Sequence, residues 1–180
     1  GNYTVTYTIP ALGGCSQASA NTTVQIAGNS GPLAGGTYTI PDNSCTGFTT
    51  IKAAVDYMNT NGISGSVVFN VNTDHRERNA AVISLGSATL TTNASRTITF
   101  QKSGTGSNPL IYGQNGTNSQ VITLAGTPDG IFRIIGTDFV TIDGIDLADT
   151  TTAGGATAME YGYGLFKVSG SDGVQNVTIK

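Results

Sequence analysis

The stretch Phe132-Arg-Ile-Ile-Gly-Thr-Asp-Phe-Val-Thr-Ile-Asp143 has a second copy, Phe166-Lys-Val-Ser-Gly-Ser-Asp-Gly-Val-Gln-Asn-Val-Thr-Ile-Lys180. Both copies place Phe, a basic residue, an aliphatic residue, Gly, Ser or Thr, Asp and Val in the same register, 34 residues apart (166 − 132). A fixed period of about 20–50 residues is typical of chains built from stacked units. Because these units have the patterning of strands, the repeat predicts a β-solenoid.

The composition of the 180-residue chain argues against several classes of protein. Charged residues make up only 11%, against about 25% in average globular proteins, and Thr, Gly, Asn and Ser take their place. The formal net charge is −3 and no basic cluster occurs, which argues against nucleic acid as a partner. No stretch approaches the roughly 20 apolar residues of a membrane span, so this segment is not expected to span a membrane.

The first residues and the two cysteines suggest a piece of a longer, exported protein. The first residues already have the pattern of a strand, without an initiator Met or a signal peptide, so we expect a piece of a longer protein. Cys15 and Cys45 could form one bridge, or each could pair outside this segment. Few charges, Thr- and Asn-rich strands and scarce cysteine suit an exported bacterial protein, which predicts an extracellular location.

A domain boundary is predicted near residue 30. Residues 3–9 and 22–26 alternate apolar and polar side chains, which predicts an antiparallel hairpin. A lone hairpin is only marginally stable in water, so residues 1–27 are expected to belong to a larger sheet. Residues 28–36, rich in Gly and interrupted by Pro, are the expected linker. The second domain is then 37–180.

One amphipathic helix is predicted at about 49–61. Its apolar residues recur at helical spacing, namely Phe48, Ile51, Val55 and Met58. Thr49 or Thr50 can cap its first turn, and Gly62 can end it. A single helix ahead of a row of strands is expected to cover the apolar end of the solenoid.

Short strands alternate with Gly-, Asn-, Ser- and Asp-containing turns from Val67 onward. The candidate strands are 67–71, 81–85, 96–100, 109–112, 121–124, 131–135, 139–147, 165–168 and 177–179. Apolar positions recur 22 or 23 residues apart, about one coil, from Ile98 to Val121, Leu110 to Phe132 and Leu124 to Leu147. The step from Val140 to Val177 is 37 residues, and the stretch at 149–164 is interpreted as a loop that bulges from one coil. No helices separate these strands, which favours a parallel β-helix; an antiparallel sandwich is the alternative. The side chains expected to point inward are Phe132, Ile134, Val140, Ile142, Phe166 and Val168.

Four stretches, in this order, resemble a family of exported Bacteroidetes surface proteins. They are Gly36-Thr-Tyr-Thr-Ile40, residues 48–71, Thr97-Ile-Thr-Phe-Gln101 and Phe139-Val-Thr-Ile-Asp-Gly-Ile-Asp-Leu147. In that family a capping helix opens a right-handed parallel β-helix of the pectin-lyase-like kind. The hairpin at 1–27 resembles the last two strands of an Ig-like or PKD-like module. The resemblance covers residues 37–147 best.

The resemblance implies a fold class and a function. The expected fold is all-β, with the end of an Ig-like β-sandwich module followed by a helix-capped right-handed parallel β-helix. Export by type IX secretion and display at the outer membrane are implied, with roles in adhesion, gliding motility or polysaccharide handling. We therefore expect a non-enzymatic structural or adhesive segment of a large secreted cell-surface protein, whose partners are surface glycans or other surface proteins. The alternative is a polysaccharide-active lyase or glycoside hydrolase with its catalytic coils outside this segment.

The densest polar cluster is residues 73–79, Thr-Asp-His-Arg-Glu-Arg-Asn, which includes the only histidine, His75. A carboxylate beside His or Arg could perform acid–base work on a carbohydrate. A charged turn between two strands is the plainer interpretation. It is favoured because adjacent residues of one turn rarely converge on one substrate atom.

A second group consists of the carboxylates Asp138, Asp143, Asp146 and Asp149. Glycosidases need two carboxylates about 5–10 Å apart, but the Gly-His-Gly and Arg-x-Lys elements of pectin-lyase-like hydrolases are missing. Arg133 and Lys167 occupy matching repeat positions, which favours surface roles. Oxygen ligands would suit calcium, yet the Asp-x-Asp-x-Asp-Gly spacing of a dedicated loop is also missing. Structural turns are favoured, and no catalytic residue, metal site or cofactor is predicted.

Aromatic and hydroxyl residues supply three weaker hypotheses. Tyr161, Tyr163 and Phe166 could stack on sugars from a loop at 149–164, or could pack that loop down. Asp149-Thr150-Thr151 matches a short O-glycosylation pattern of Bacteroidetes, which makes Thr150 a candidate modification site. Thr-x-Thr units, as at 37–39 and 97–99, would suit an ice-binding ladder if they shared one face. Because they lie on different elements, we interpret them as ordinary solvent-facing residues.

Overall fold

The computed structural model describes residues 2–25, 31–44, 47–113, 129–150 and 159–180. They belong to two compact units, Gly1–Ser30 and Gly31–Lys180. The candidate strand at 121–124, Cys45 and part of the expected linker at 28–36 lie outside the described residues.

The described residues form thirteen strands and one helix. In chain order these elements are β1 (Asn2–Ile9), β2 (Ala18–Gln25), β3 (Gly36–Ile40), α1 (Ile51–Asn61), β4 (Val67–Asn72), β5 (Arg76–Arg78), β6 (Ile83–Leu85), β7 (Ile98–Ser103), β8 (Leu110–Tyr112), β9 (Gly130–Ile135), β10 (Val140–Asp143), β11 (Asp146–Ala148), β12 (Tyr161–Phe166) and β13 (Thr178–Ile179).

The first unit is the hairpin of β1 and β2. The two strands pair antiparallel along their whole length, which confirms the hairpin that the alternating pattern predicted. Val5, Tyr7 and Ile9 lie on one face of β1 and are 51%, 70% and 55% exposed. Within the described residues no third strand joins this sheet.

Helix α1 begins and ends where its local sequence predicted. The hydroxyl of Thr50 accepts a hydrogen bond from the Ala53 N–H at 3.0 Å, which satisfies one of the unpaired donors of the first turn. Gly62 follows the last turn with φ of 73°, and its N–H donates to the Met58 carbonyl at 2.8 Å. The buried face consists of Ile51, Ala54, Val55 and Met58.

The second unit contains three sheets with parallel pairing. The first sheet has the strand order β13-β10-β7-β4-β3, the second β11-β8-β5 and the third β12-β9-β6. From β4 onward, each sheet takes every third strand of the chain. The connections that follow the strands of one sheet therefore lie near one another, which matters for the site described below.

The predicted fold class, all-β with a β-sandwich end and a right-handed parallel β-helix, is wrong. Helix α1 buries four side chains in the same core as the strands, so the structure is mixed, and the described residues do not form a plain β-sandwich. In the first sheet, paired residues are 31, 42 and 37 positions apart, from Val67 to Ile98, Ile98 to Val140 and Thr141 to Thr178. In the described residues the pairing steps do not share one period and no solenoid is found, because the connections between strands differ in length, and a longer loop adds little entropic cost.

The register predicted from the repeat is also wrong in the third sheet. Phe166 pairs with Ile135, which is 31 residues earlier, and Tyr163 is the residue opposite Phe132. Buried contacts decide the register of a strand, and the ring of Tyr163 lies 5.7 Å from that of Phe132. Val168 is consequently past the end of β12 and 63% exposed, although it was expected inside.

Other expectations about the strands have mixed outcomes. Four of the six predicted inward side chains are buried, namely Phe132, Ile134, Val140 and Ile142. The step of 37 residues between the two Val-Thr-Ile runs is confirmed by the pairing of Ile142 with Ile179. The predicted alignment of Leu110 with Phe132 is wrong, because Leu110 pairs in the second sheet and Phe132 in the third.

The core is continuous across these sheets through a series of aromatic rings. Phe69 stacks on Phe100 at 4.8 Å, and Tyr38 stacks on Phe69 at 5.5 Å. Phe100 then meets Phe132 edge to face at 6.4 Å. Offset and edge contacts of this kind add about 0.5–1.5 kcal/mol each beyond area burial, so the rings tie neighbouring strands together.

Candidate functional site

The cluster at 73–79 holds a buried carboxylate rather than an exposed site. Glu77, in β5, is 2% exposed. Its Oε2 accepts a hydrogen bond from the Ile51 N–H at 2.8 Å and lies 3.5 Å from Nε2 of His75. Its Oε1 accepts from the Lys52 N–H at 2.9 Å and from Nδ2 of Asn79 at 2.8 Å. Both oxygens are therefore occupied at the start of helix α1, where a negative charge is favoured.

The protonation of Glu77 follows from these contacts. Burial disfavours the charged form and would raise its pKa. Hydrogen bonds from His75, Asn79 and the N–H groups of Lys52 and Ile51 outweigh burial and hold the pKa of Glu77 below its ordinary value. Glu77 is thus a fixed carboxylate that joins β5 to helix α1, and it offers no free oxygen to a substrate.

The four aspartates of the second group do not converge. Their contacts are Asp138 with the Gln175 N–H at 2.6 Å, Asp143 with Lys180 Nζ at 3.0 Å, Asp146 with Asn108 Nδ2 at 3.0 Å and Asp149 with the Met159 N–H at 3.2 Å. Among the described residues, no three His, Cys, Asp or Glu side chains come together in a way that could hold a metal ion.

Tyr161 and Tyr163, the tyrosines hypothesised to stack on sugars, are half-buried and pack against neighbouring side chains. Both belong to strand β12, where the ring of Tyr161 lies against Phe166 at 5.4 Å and that of Tyr163 against Phe132. The hydroxyl of Tyr163 donates to the Ile145 carbonyl at 2.9 Å, and burial raises the pKa of Tyr163. Their rings therefore serve packing. Most of the expected loop at 149–164 lies outside the described residues or forms this strand.

Thr150 is exposed and has an arginine as its neighbour. Nη1 of Arg78 donates to its hydroxyl oxygen at 3.1 Å, and the guanidinium also lies 4.8 Å from the ring centre of Tyr112. Arg133, one of the two basic repeat residues, donates through Nε to the hydroxyl of Ser84 at 2.6 Å. These contacts neither support nor contradict modification of Thr150, which stays a prediction.

Threonines of the first sheet share a common row across the strands, which the sequence did not predict. Thr37, Thr99, Thr141 and Thr178 lie in one row across the sheet, with Val68 between the first two. Thr37 and Thr99 lie on different strands, as predicted, but they share one face of the sheet, which was not predicted. In a second row of the same sheet, Thr39 is aligned with Asn70, Gln101 and Asp143. Only one row is therefore rich in threonine.

The best candidate site is an open cleft of about 440 Å³ beside the third sheet. It is lined by residues of 87–92, which follow β6, by residues of 135–138 at the end of β9, and by Val168 and Asp172, which follow β12. We call it the acidic cleft. Three connections meet there because β6, β9 and β12 are neighbours in one parallel sheet.

Close backbone contacts shape the acidic cleft. Gly136 has φ of 56°, and a Cβ at that position would lie 2.4 Å from Cγ2 of Val168, so glycine lets Val168 pack on the backbone. Asp172 holds its own loop, since its carbonyl accepts hydrogen bonds from the N–H groups of Val168 and Ser169 at 2.9 and 3.3 Å. The cleft is therefore formed by ordered turns on an ordered sheet.

The polar groups of the acidic cleft are carboxylates and hydroxyls. Oδ1 of Asp138 accepts from Gln175, whereas no hydrogen bond to the carboxylate of Asp172 occurs within the described part of the chain. Thr91 accepts a hydrogen bond from Nη1 of Arg96 at 3.1 Å. Leu90 adds an apolar side chain to the lining. The arrangement can accept hydrogen bonds from a ligand and contact its apolar surface.

The sequence contained a signal for this site that was interpreted differently. Gly-Thr-Asp at 136–138 and Gly-Ser-Asp at 170–172 are the repeated triplets of the opening pattern. The repeat predicts that they mark equivalent rungs, and proximity in the sequence groups Asp138 with Asp143 rather than with Asp172. Only the pairing of β9 with β12 shows that both triplets border one cleft.

Comparisons with protein-family models, curated proteins and solved structures found no match to this chain. Of the helices that the described residues form, none is both long and apolar enough to cross a membrane.

Proposed function

We propose that this chain is a non-enzymatic, structural and adhesive segment of a large secreted bacterial cell-surface protein, and that the acidic cleft is its ligand-binding surface. The observation that carries the proposal is the lining of that cleft. It combines two carboxylates, hydroxyls and apolar side chains, and its described lining contains no His, Lys or Arg. Such a set can hold a ligand by hydrogen bonds and apolar contact. Surface glycans are the proposed partners, with other surface proteins as the second class.

The hairpin supports the proposal that the chain works within a larger assembly. Residues 1–41 contain no charged side chain, although edge strands in monomeric proteins are usually protected by charges. Val5, Tyr7 and Ile9 expose an apolar face that a two-stranded sheet cannot bury by itself. A neighbouring module would cover this face and stabilise the hairpin.

The adhesive function is tested by separating binding from turnover. The purified chain is incubated with bacterial cells before and after periodate treatment, which destroys vicinal diols, and before and after protease treatment. We expect saturable binding that periodate removes and protease does not, with no new reducing ends released from the polysaccharide. Release of reducing ends would show an enzyme, and the absence of binding to untreated cells would refute the adhesive function.

The assembly is tested by hydrogen exchange on the chain alone. We expect the amides of β1 and β2 to exchange at least about 100-fold faster than those of β4 and β7, because a lone hairpin is marginally stable. The matched comparison is a longer polypeptide in which a neighbouring module is attached and β1 and β2 become protected. Equal protection of hairpin and core in the isolated chain would show that the hairpin needs no partner.

A further inference from the structure

We infer that the acidic cleft binds a neutral saccharide and disfavours acidic ones. This inference rests on the proposed adhesive function, since it names the ligand class of the same site. It goes beyond that function because cell-surface polysaccharides are frequently anionic. The negative charge of the cleft is expected to favour neutral saccharides over acidic ones.

The acceptor groups suit the hydroxyls of a sugar. The carboxylate of Asp172 is exposed and makes no hydrogen bond within the described residues, and Oδ2 of Asp138 is not the oxygen that accepts from Gln175. Hydrogen bonds to ionised acceptors are shorter and stronger than neutral ones. Two carboxylates from different turns can therefore accept from hydroxyls at separate positions of one sugar.

A donor is present beside them. Because Nη1 of Arg96 donates to the oxygen of Thr91, the proton of this hydroxyl is left to point elsewhere. Thr91 can thus donate to a ring or hydroxyl oxygen of the ligand. Sugar hydroxyls both donate and accept, so a site with carboxylates and an oriented hydroxyl satisfies both roles.

The apolar part of the lining suits the C–H surface of a sugar. Leu90 is 5% exposed and Val168 is 63% exposed, so the two side chains offer apolar contact at different depths of the cleft. Ile135, from the end of β9, is also part of the lining. A ligand with only polar surface, such as a hydrated ion, would leave these contacts unused.

Charge decides between neutral and acidic saccharides. Asp138 and Asp172 are the charged residues of the lining, and Arg96, which donates to Thr91, is not part of that lining. A uronate or sulfate group would face these like charges with no basic side chain in the described lining, and such juxtaposition suppresses binding. A neutral sugar meets no such penalty.

The test measures dissociation constants by titration calorimetry for neutral cello- and manno-oligosaccharides and for oligogalacturonate of the same length, each in the presence and in the absence of EDTA. We expect neutral oligosaccharides to bind the wild-type chain at least about tenfold more tightly than the acidic one. Asp172→Ala is expected to weaken neutral binding by about tenfold or more, because a hydrogen bond to a charged group is lost. Asp56→Asn, which removes the same charge from the exposed face of helix α1, is the matched control and should bind like wild type.

The outcomes distinguish this inference from the proposed function. Tighter binding of oligogalacturonate, or affinity that Asp172→Ala leaves unchanged, would overturn the inference while adhesion through another surface stands. Binding that EDTA abolishes would show a metal-dependent site and would overturn it as well. If neither oligosaccharides nor intact cells bind, the adhesive function itself fails. Because Asp172 has no side-chain hydrogen bond in the described structure, circular dichroism should show that Asp172→Ala is folded.

Discussion

Replacement of Glu77 by alanine is expected to lower the free energy of unfolding by about 3–5 kcal/mol. The N–H groups of Ile51 and Lys52 would lose their acceptor at the start of helix α1, and Asn79 would lose its partner. A buried donor without a partner costs about 1–3 kcal/mol. Urea denaturation at neutral pH measures the difference.

The control for this prediction is Asp56→Ala, on the same helix. Asp56 is 57% exposed and pairs with Lys52 at 2.6 Å. Exposed ion pairs of this kind contribute at most about 1 kcal/mol, so the midpoint should hardly move. Equal effects of the two substitutions would contradict the role assigned to Glu77.

The pH dependence of stability provides a separate prediction for the same residue. The pKa of Glu77 in the folded chain lies below its ordinary value of 4.5, so the unfolded chain takes up the proton first as the pH falls. The stabilisation is complete above the unfolded value and disappears as the pH falls through the folded value. We expect the difference in unfolding free energy between wild type and Glu77→Gln to shrink below about pH 4.5. A difference that stays constant down to acid unfolding would show that Glu77 does not titrate in this way.

Substitution of Gly86 by alanine is expected to destabilise the chain by about 3 kcal/mol or more. Gly86 has φ of 137°, and a Cβ there would lie 2.1 Å from the Ile135 carbonyl oxygen and 2.8 Å from the hydroxyl of Thr137. The carbonyl belongs to the end of β9, a central strand of the third sheet, so it cannot move aside cheaply. The N–H of Gly86 also donates to Asn59 Oδ1 at 2.9 Å, which fixes its position against helix α1.

The matched control for Gly86 is Gly170→Ala. Apart from its two chain neighbours, no heavy atom of the described residues lies within 4 Å of the Cβ position at Gly170, and its backbone is not in the left-handed region. Thermal unfolding should therefore place Gly170→Ala within about 0.5 kcal/mol of wild type. If Gly86→Ala unfolded at the same temperature as this control, the close contact between Gly86 and the end of β9 would be contradicted.

Local patterns were sufficient for helix α1 and for the hairpin. The helix follows from apolar spacing and from Thr50 and Gly62, and all of these signals lie within one short segment. The hairpin follows from strict alternation in β1 and β2. Both depend on contacts between residues close in sequence, for which periodicity and capping are direct evidence.

The buried role of Glu77 could not be predicted in this way. In the sequence it stands between Arg76 and Arg78, where a charged turn is the natural interpretation. The donors that bind it, Ile51 and Lys52, are 26 and 25 residues earlier in the chain. No local pattern links a strand carboxylate to the first turn of a distant helix.

By itself, the sequence determined helix α1, the hairpin and four of the side chains that the core buries, namely Phe132, Ile134, Val140 and Ile142. Tertiary structure alone decided the mixed class, the register of Phe132 against Tyr163 and the meeting of Asp138 with Asp172 in the acidic cleft. The reason is physical. Parallel strands pair residues that are some 30–50 positions apart in the chain. The connections between these strands differ in length, so they change which residues pair, whereas the alternation of apolar and polar residues that the sequence shows stays the same.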